Sequence, residues 1–145
     1  MTHKKIIDEL RKIHKKNRLK SKDITVSEDT KSAQKITKEW QEKVCTEELI
    51  AEVSVSDENK ERIDIVDIKN NIAYELKVSG NNSHHEFYKD LIKVLTYNLN
   101  YKDKLEKFVF ISEVKGIKSI NNRLDSKFLE MMGKIHKITI ILEEI

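Results

Sequence analysis

The chain has 145 residues, 37% charged and 38% hydrophobic, with no Pro, three Gly, one Cys and a net charge of +3. That is the size of one ordinary domain, and its longest apolar runs, Phe108 to Ile111 and Ile140 to Leu142, fall far short of the roughly 20 residues of a membrane span. A lone Cys45 excludes an internal disulfide and a Cys-based zinc cage, and the N-terminal stretch lacks an apolar export signal, so a cytoplasmic, reducing setting is expected.

Charge is unevenly spread. Residues 1–22 hold nine Lys or Arg against Asp8 and Glu9, a local +7 that leaves −4 on the remainder. Within them, residues 3–17 place Ile6, Ile7, Leu10 and Ile13 on one face of an amphipathic helix whose other face is basic. Clustered cations gain from phosphate neutralisation and counterion release. Lys12, Lys15, Lys16, Arg18 and Lys20 are therefore the candidate nucleic-acid contacts. A polar linker at about 18–28 leads to a second helix, starting near Asp29 or Thr30 and carrying Ala33, Ile36, Trp40 and Val44. The division expected is a basic helix and linker, 1–28, followed by a domain, 29–145.

From Leu49 the period changes. Strands are predicted near 49–55, 62–68 and 72–79, separated by Ser56 to Glu61 and by Lys69-Asn70-Asn71, whose Asn residues suit tight hairpin turns. Ser83-His84-His85-Glu86 fits a capping box with Ser83 as N-cap, opening a helix with apolar Tyr88, Leu91, Ile92, Leu95 and Leu99. Phe108 to Ile111 suits a strand buried on both faces. Leu124, Phe128, Met131, Met132 and Ile135 mark a further helix with Gly133 near its C-cap, and Ile138 to Leu142 a last strand. The order predicts an α/β domain whose mixed sheet is flanked by helices.

The chemistry concentrates in residues 62–78. A charge inside an apolar strand is costly unless it is paired, hydrogen-bonded or bound to metal. In the third strand Glu75 and Lys77 share a face, opposite Ile72, Tyr74, Leu76 and Val78; in the second, Ile63 and Ile65 share one face and Asp64, Val66 and Ile68 the other. A two-residue loop at Lys69-Asn70 pairs Asp64 with Glu75, and one at Asn70-Asn71 pairs it with Lys77; a three-residue loop without a bulge sends Asp64 to the wrong side. Two carboxylates opposed on adjacent strands suit one hard divalent cation, since Mg²⁺ takes one or two protein carboxylates and fills its other positions with water and phosphate. A Lys on the same face orients the attacking water and stabilises charge developing on a phosphate.

Asp64 followed by Glu75-Leu76-Lys77 in the next strand resembles the signature of the PD-(D/E)XK nuclease superfamily. The element order from residue 29, a helix, a three-strand meander, a helix and a strand, is similar to that family's restriction-endonuclease-like core over about 29–113. The resemblance implies Mg²⁺- or Mn²⁺-dependent cleavage of DNA, with Asp64, Glu75 and the Leu76 carbonyl as metal ligands and Lys77 as the catalytic lysine. Ile63 stands where the family usually has Pro. Six [Asp/Glu]-x-Lys matches occur, at 29–31, 58–60, 67–69, 75–77, 113–115 and 125–127, and context alone selects 75–77, because only there does a strand carboxylate precede at hairpin distance. A duplex cutter needs one site per strand, so a homodimer is expected. The competing expectation is a non-catalytic nucleic-acid-binding or protein-interaction module of the same fold.

Other residues carry less. Asp29 and Glu39 are the acidic candidates on the helix before the first strand. Lys93 and Tyr97 take the spacing at which some branches of the family carry Gln and Tyr, and Lys89 and Lys93 read as a solvated or phosphate-facing stripe. His84 and His85 point about 100° apart on a helix and cannot chelate one ion well. His3, His14 and His136 are isolated, Trp40, Met131 and Met132 read as core, and no Gly-rich nucleotide-binding loop is present.

Overall fold

A computed structural model of the chain describes residues 1–18 and 24–145. The elements are α1 (His3–Asn17), α2 (Val26–Val44), β1 (Leu49–Ser54), β2 (Arg62–Asp67), β3 (Ile72–Lys77), α3 (Ser83–Asn100), β4 (Lys107–Ser112), α4 (Val114–Asn121), α5 (Ser126–Lys134) and β5 (Thr139–Glu144). They form an α/β fold in which one mixed sheet, ordered β1-β2-β3-β4-β5, lies between helices. β1, β2 and β3 are an antiparallel meander; β4 runs parallel to β3, and β5 parallel to β4. The short α4, directly after β4, is an element that the sequence pattern did not reveal.

Helix starts depart from expectation for local reasons. α2 begins at Val26, because Thr25 and Glu28 form the reciprocal capping box: the Glu28 N–H donates to Thr25 Oγ1 at 3.1 Å and the Thr25 N–H to Glu28 Oε2 at 2.9 Å. The boundary expected at residue 28 therefore falls inside a helix. At α3 the predicted box does not form. Asn82, left-handed at φ 54°, precedes the helix without a side-chain cap, and Ser83 is buried, donating to the Ser79 carbonyl at 3.3 Å. Gly116 of α4 sits so close that a Cβ there would collide with the Ser83 and Ser112 hydroxyls. At α5 the left-handed residue is Lys137, not Gly133.

Side-chain alternation sorts the sheet residues into two cores. Ile65, Tyr74, Val109 and Ile111 meet α1 and α2 on one face. Val66, Ala73, Phe108 and Phe110 meet α3, α4 and α5 on the other. β4 is thus buried on both faces, as its apolar run predicted.

α1 belongs to the body. Ile6, Ile7, Leu10 and Ile13 are buried in the same core as Ile36, Trp40 and Val44 of α2, and the Trp40 indole donates to the Ile6 carbonyl at 3.1 Å. The separate basic segment expected over 1–28 is corrected accordingly: its apolar stripe needs the sheet to cover it. No helix among the described residues is long and apolar enough to cross a membrane.

α3 is rotated about its axis relative to expectation. It buries Phe87, Asp90, Leu91, Val94 and Tyr97, and exposes Tyr88, Ile92 and Leu99. The Phe87 ring stacks on Phe108 at 5.6 Å and meets Phe110 edge-on at 5.5 Å, which fixes that choice of face.

Candidate active site at the open end of the β2–β3 hairpin

The β2–β3 turn spans residues 68–71, closed by the pair Asp67–Ile72 and holding Asn71 at φ 57°. Its register is in phase with the Lys69-Asn70 alternative: Val66 faces Ala73 and Ile65 faces Tyr74. One step further Asp64 faces Glu75, and there side chains take over from the backbone ladder. The Asp64 N–H donates to Glu75 Oε1 at 3.3 Å, and the Leu76 N–H to Asp64 Oδ2 at 2.8 Å. Because a strand residue turns its N–H and C=O toward the same neighbour, the Leu76 carbonyl is directed at the same gap.

The β1–β2 ladder is also interrupted here. Ala51 pairs with Ile65 and Val53 with Ile63, but no Glu52–Asp64 pair forms, and Glu52 is left-handed at φ 54°. Ile63 consequently packs in the α3-side core and Ile65 in the α1/α2-side core, so the two do not share a face as expected. A non-Gly residue with positive φ in a strand persists only where its surroundings hold it. Gln41 of α2 does so: its Nε2 donates to Glu52 Oε1 at 2.8 Å and to the Asp64 carbonyl at 2.9 Å. Gln41→Ala leaves that carbonyl without its partner and is expected to cost about 1–3 kcal/mol, read by urea denaturation; an unchanged midpoint would show that the strands hold themselves.

Two further side chains come from α3. Lys93 Nζ donates to Glu75 Oε1 at 3.1 Å, pairs with Asp90 Oδ1 at 2.9 Å and donates to the Arg62 carbonyl at 2.9 Å. Lys93 is therefore an internal ion-pair partner and not part of a solvated stripe; its side chain is 11% exposed. Sequence reasoning missed Asp90, Glu52 and Gln41 altogether. The available signal was the Asp90/Lys93 pair, charges at i and i+3 among the apolar Leu91, Ile92 and Val94.

The cluster is electrostatically frustrated. Burial, offset partly by the Leu76 N–H, pushes the Asp64 carboxyl up to about 6. Burial and then the neighbouring Asp64 charge hold Glu75 well above the usual carboxylate range, and burial likewise raises Asp90. Burial alone would lower Lys93, but Glu75 and Asp90 together raise it. Three carboxylates thus share one ammonium, a formal −2 when all are ionised. Each of the paired carboxylates spends one oxygen on the protein. Asp64 Oδ1 and Glu75 Oε2 accept no hydrogen bond among the described residues; Asp64 reaches the open cleft beside α2, whereas Glu75 is buried, 2% exposed, and is not among the residues lining it.

Asp64, Leu76 and Lys77 line a cleft of about 830 Å³ between α2, the end of β3 and the 79–82 loop. Gln34, Thr37, Lys38 and Gln41 of α2 form its opposite wall, and Glu52 lines it too. Lys77 is half-buried, and its side chain makes no hydrogen bond or ion pair among the described residues. Of the two acidic candidates on α2, Asp29 lines the cleft but is paired with Arg18, while Glu39 is absent from the lining and accepts from Asn17 at 3.0 Å. Glu113 of the competing 113–115 match is held by Arg18 at 3.0 Å and His14 at 2.8 Å, and Lys115 donates to Asn81. Among the described residues no three His, Cys, Asp or Glu group into a metal cage.

The candidate nucleic-acid residues divide. Lys12, Lys15 and Lys16 are exposed on the outer face of α1, with Lys12 pairing only to Glu9 within its own helix. Arg18 is committed: its side chain is 11% exposed and is bound by Glu113 and Asp29. Lys20 lies outside the described residues. His3, expected to be isolated, bonds Tyr74 Oη at 3.0 Å and Glu143 at 2.9 Å. No family model matches the chain, and neither a curated protein nor a solved structure matches it at a significant level.

Proposed function

We propose that the chain is a metal-dependent deoxyribonuclease with a restriction-endonuclease-like core. The observation that carries the reading is Asp64 and the unpaired Lys77 side chain at the wall of one open cleft, with the buried Glu75 carboxylate on β3 accepting from the Asp64 N–H directly behind it. A helix, a three-strand antiparallel meander, a helix and a fourth strand parallel to the third support it, because this is the order the PD-(D/E)XK resemblance implies.

The residues fit Mg²⁺ or Mn²⁺ by the chemistry of the donors. They are hard oxygens, too few for a cage, in a cluster whose three carboxylates, once ionised, exceed its one ammonium by two charges, which suits a cation that keeps several waters. Asp64, Glu75 and the Leu76 carbonyl would hold it. When bound, the ion supplies charge neutralisation at the phosphate and acidifies the attacking water. Lys77 directs its ammonium at that water and at the phosphate oxygens, while Lys12, Lys15 and Lys16 bind the DNA backbone in a salt-dependent way. A second copy of the chain supplies the second site for a duplex.

The test is cleavage of supercoiled plasmid, linear duplex, branched and single-stranded DNA, with Mg²⁺ or with EDTA, by wild type and Asp64→Asn. Cutting that requires both the ion and Asp64 is expected. No cutting of any substrate, with equal DNA binding by both proteins, returns the chain to the non-catalytic module.

A further inference from the structure

Glu75 Oε1 receives two donors from different elements: the Asp64 N–H of β2 and the Lys93 ammonium of α3. The same ammonium reaches the Arg62 carbonyl, two residues before Asp64. One group on α3 therefore ties β3, through a side chain, to β2, through its backbone, at the point where the described β2–β3 pairing has ended. Asp90, one turn earlier on α3 and 4% exposed, fixes the ammonium from its other side. Neither Glu75 nor Lys93 lines the cleft that Asp64, Leu76 and Lys77 line, and Lys93 borders a separate hollow of about 260 Å³ with Lys89 and Thr96, so its ammonium bears on the cleft only through Glu75.

We propose that Lys93, braced by Asp90, is a positioning residue of this site: it occupies Glu75 Oε1 and sets the width of the β2–β3 gap, so that Glu75 Oε2 and Asp64 Oδ1 face one divalent cation. This rests on the nuclease reading. It separates the two lysines by role. Lys77 acts on the substrate, and Lys93 acts through Glu75. A freely rotating Glu75 would present either oxygen, and Mg²⁺ tolerates little departure from octahedral geometry.

Mg²⁺ binding by titration calorimetry, and kcat and KM on the cleaved DNA, would be measured for wild type, Lys93→Met, Lys93→Arg and Asp90→Asn. Lys93→Met keeps the apolar stem and removes the ammonium; it is expected to weaken Mg²⁺ binding about tenfold and lower kcat at least tenfold, with KM for DNA unchanged. Lys93→Arg restores part of both, and Asp90→Asn shifts both in the same direction by less. A folded Lys93→Met protein that binds Mg²⁺ and turns over like wild type overturns the proposal, as does one that loses only melting temperature. A raised KM with unaltered Mg²⁺ affinity would place Lys93 on the substrate and overturns it equally. Wild-type protein that neither binds Mg²⁺ nor cleaves removes the nuclease reading itself, a result distinct from all of these.

Discussion

Lys77→Ala is expected to slow DNA cleavage by roughly 10²- to 10⁴-fold while folding and DNA binding stay near wild type. The size follows from role. An ammonium aimed at the attacking water and the phosphate acts on charge that develops only in the transition state. The silence in stability follows from surroundings. Lys77 is half-buried, and no ion pair or hydrogen bond to its side chain is present among the described residues, so truncation orphans nothing and should change stability by no more than about 0.5 kcal/mol. Thermal melting, a filter-binding isotherm and a plasmid nicking assay on one preparation decide it. Wild-type rates from the Ala variant would end the assignment of Lys77, and a collapsed melting temperature would show that it holds the sheet.

The contrast between Lys77 and Lys93 also shows how far one chain can be read without coordinates. Asp64, Glu75 and Lys77 were legible because strands alternate: a charge at every second position of an apolar run marks a face, and the hairpin loop limits how two such runs align. The register, open among three loop lengths and placements, awaited the structure, as did the break at Asp64 that puts Ile63 and Ile65 on opposite faces. Lys93 was misread because helix α3 carries two apolar stripes, one of Phe87, Leu91, Val94 and Tyr97 and one of Tyr88, Ile92, Leu95 and Leu99. Periodicity cannot rank them; the fit of the Phe87 ring between Phe108 and Phe110 does. Arg18 was misplaced for a related reason, since its partners Asp29 and Glu113 are brought to it only by tertiary folding. Glu52 and Gln41 left no signal, because nothing local in Ile50-Ala51-Glu52-Val53 marks a left-handed residue. The start of α2 was different: Thr25 and Glu28 are a capping box in plain sequence, overlooked in favour of Asp29.

The charge excess at the site predicts opposite pH dependences with and without Mg²⁺. Asp64 and Glu75 both titrate higher in the folded protein than in the unfolded chain, Asp64 at about 6 and Glu75 well above its ordinary value. A raised carboxyl binds its proton more tightly when folded, so its stabilising contribution is complete below the unfolded pKa and lost as pH rises through the folded one. The metal-free protein should therefore lose stability as pH rises from about 4 through 6 on account of Asp64, and further above that on account of Glu75, at up to about 1.4 kcal/mol per pH unit for each group titrating. The cation needs the ionised forms, so its stabilisation runs the other way, absent near pH 5 and growing above 6. At a hundredfold excess over Kd it contributes about 2.7 kcal/mol, or roughly 5–10 °C in Tm for a domain of this size. Asp64→Asn sharpens the comparison, because its amide oxygen can still accept the Leu76 N–H while the charge is gone. Melts at pH 5, 6, 7 and 8 with and without Mg²⁺ should find the Asp64→Asn variant more stable than wild type at pH 8 without metal and indifferent to added Mg²⁺. A cluster kept for stability alone would show the reverse, with Asp64→Asn destabilising at every pH; stability given up at neutral pH is what a carboxylate pair reserved for a cation should cost.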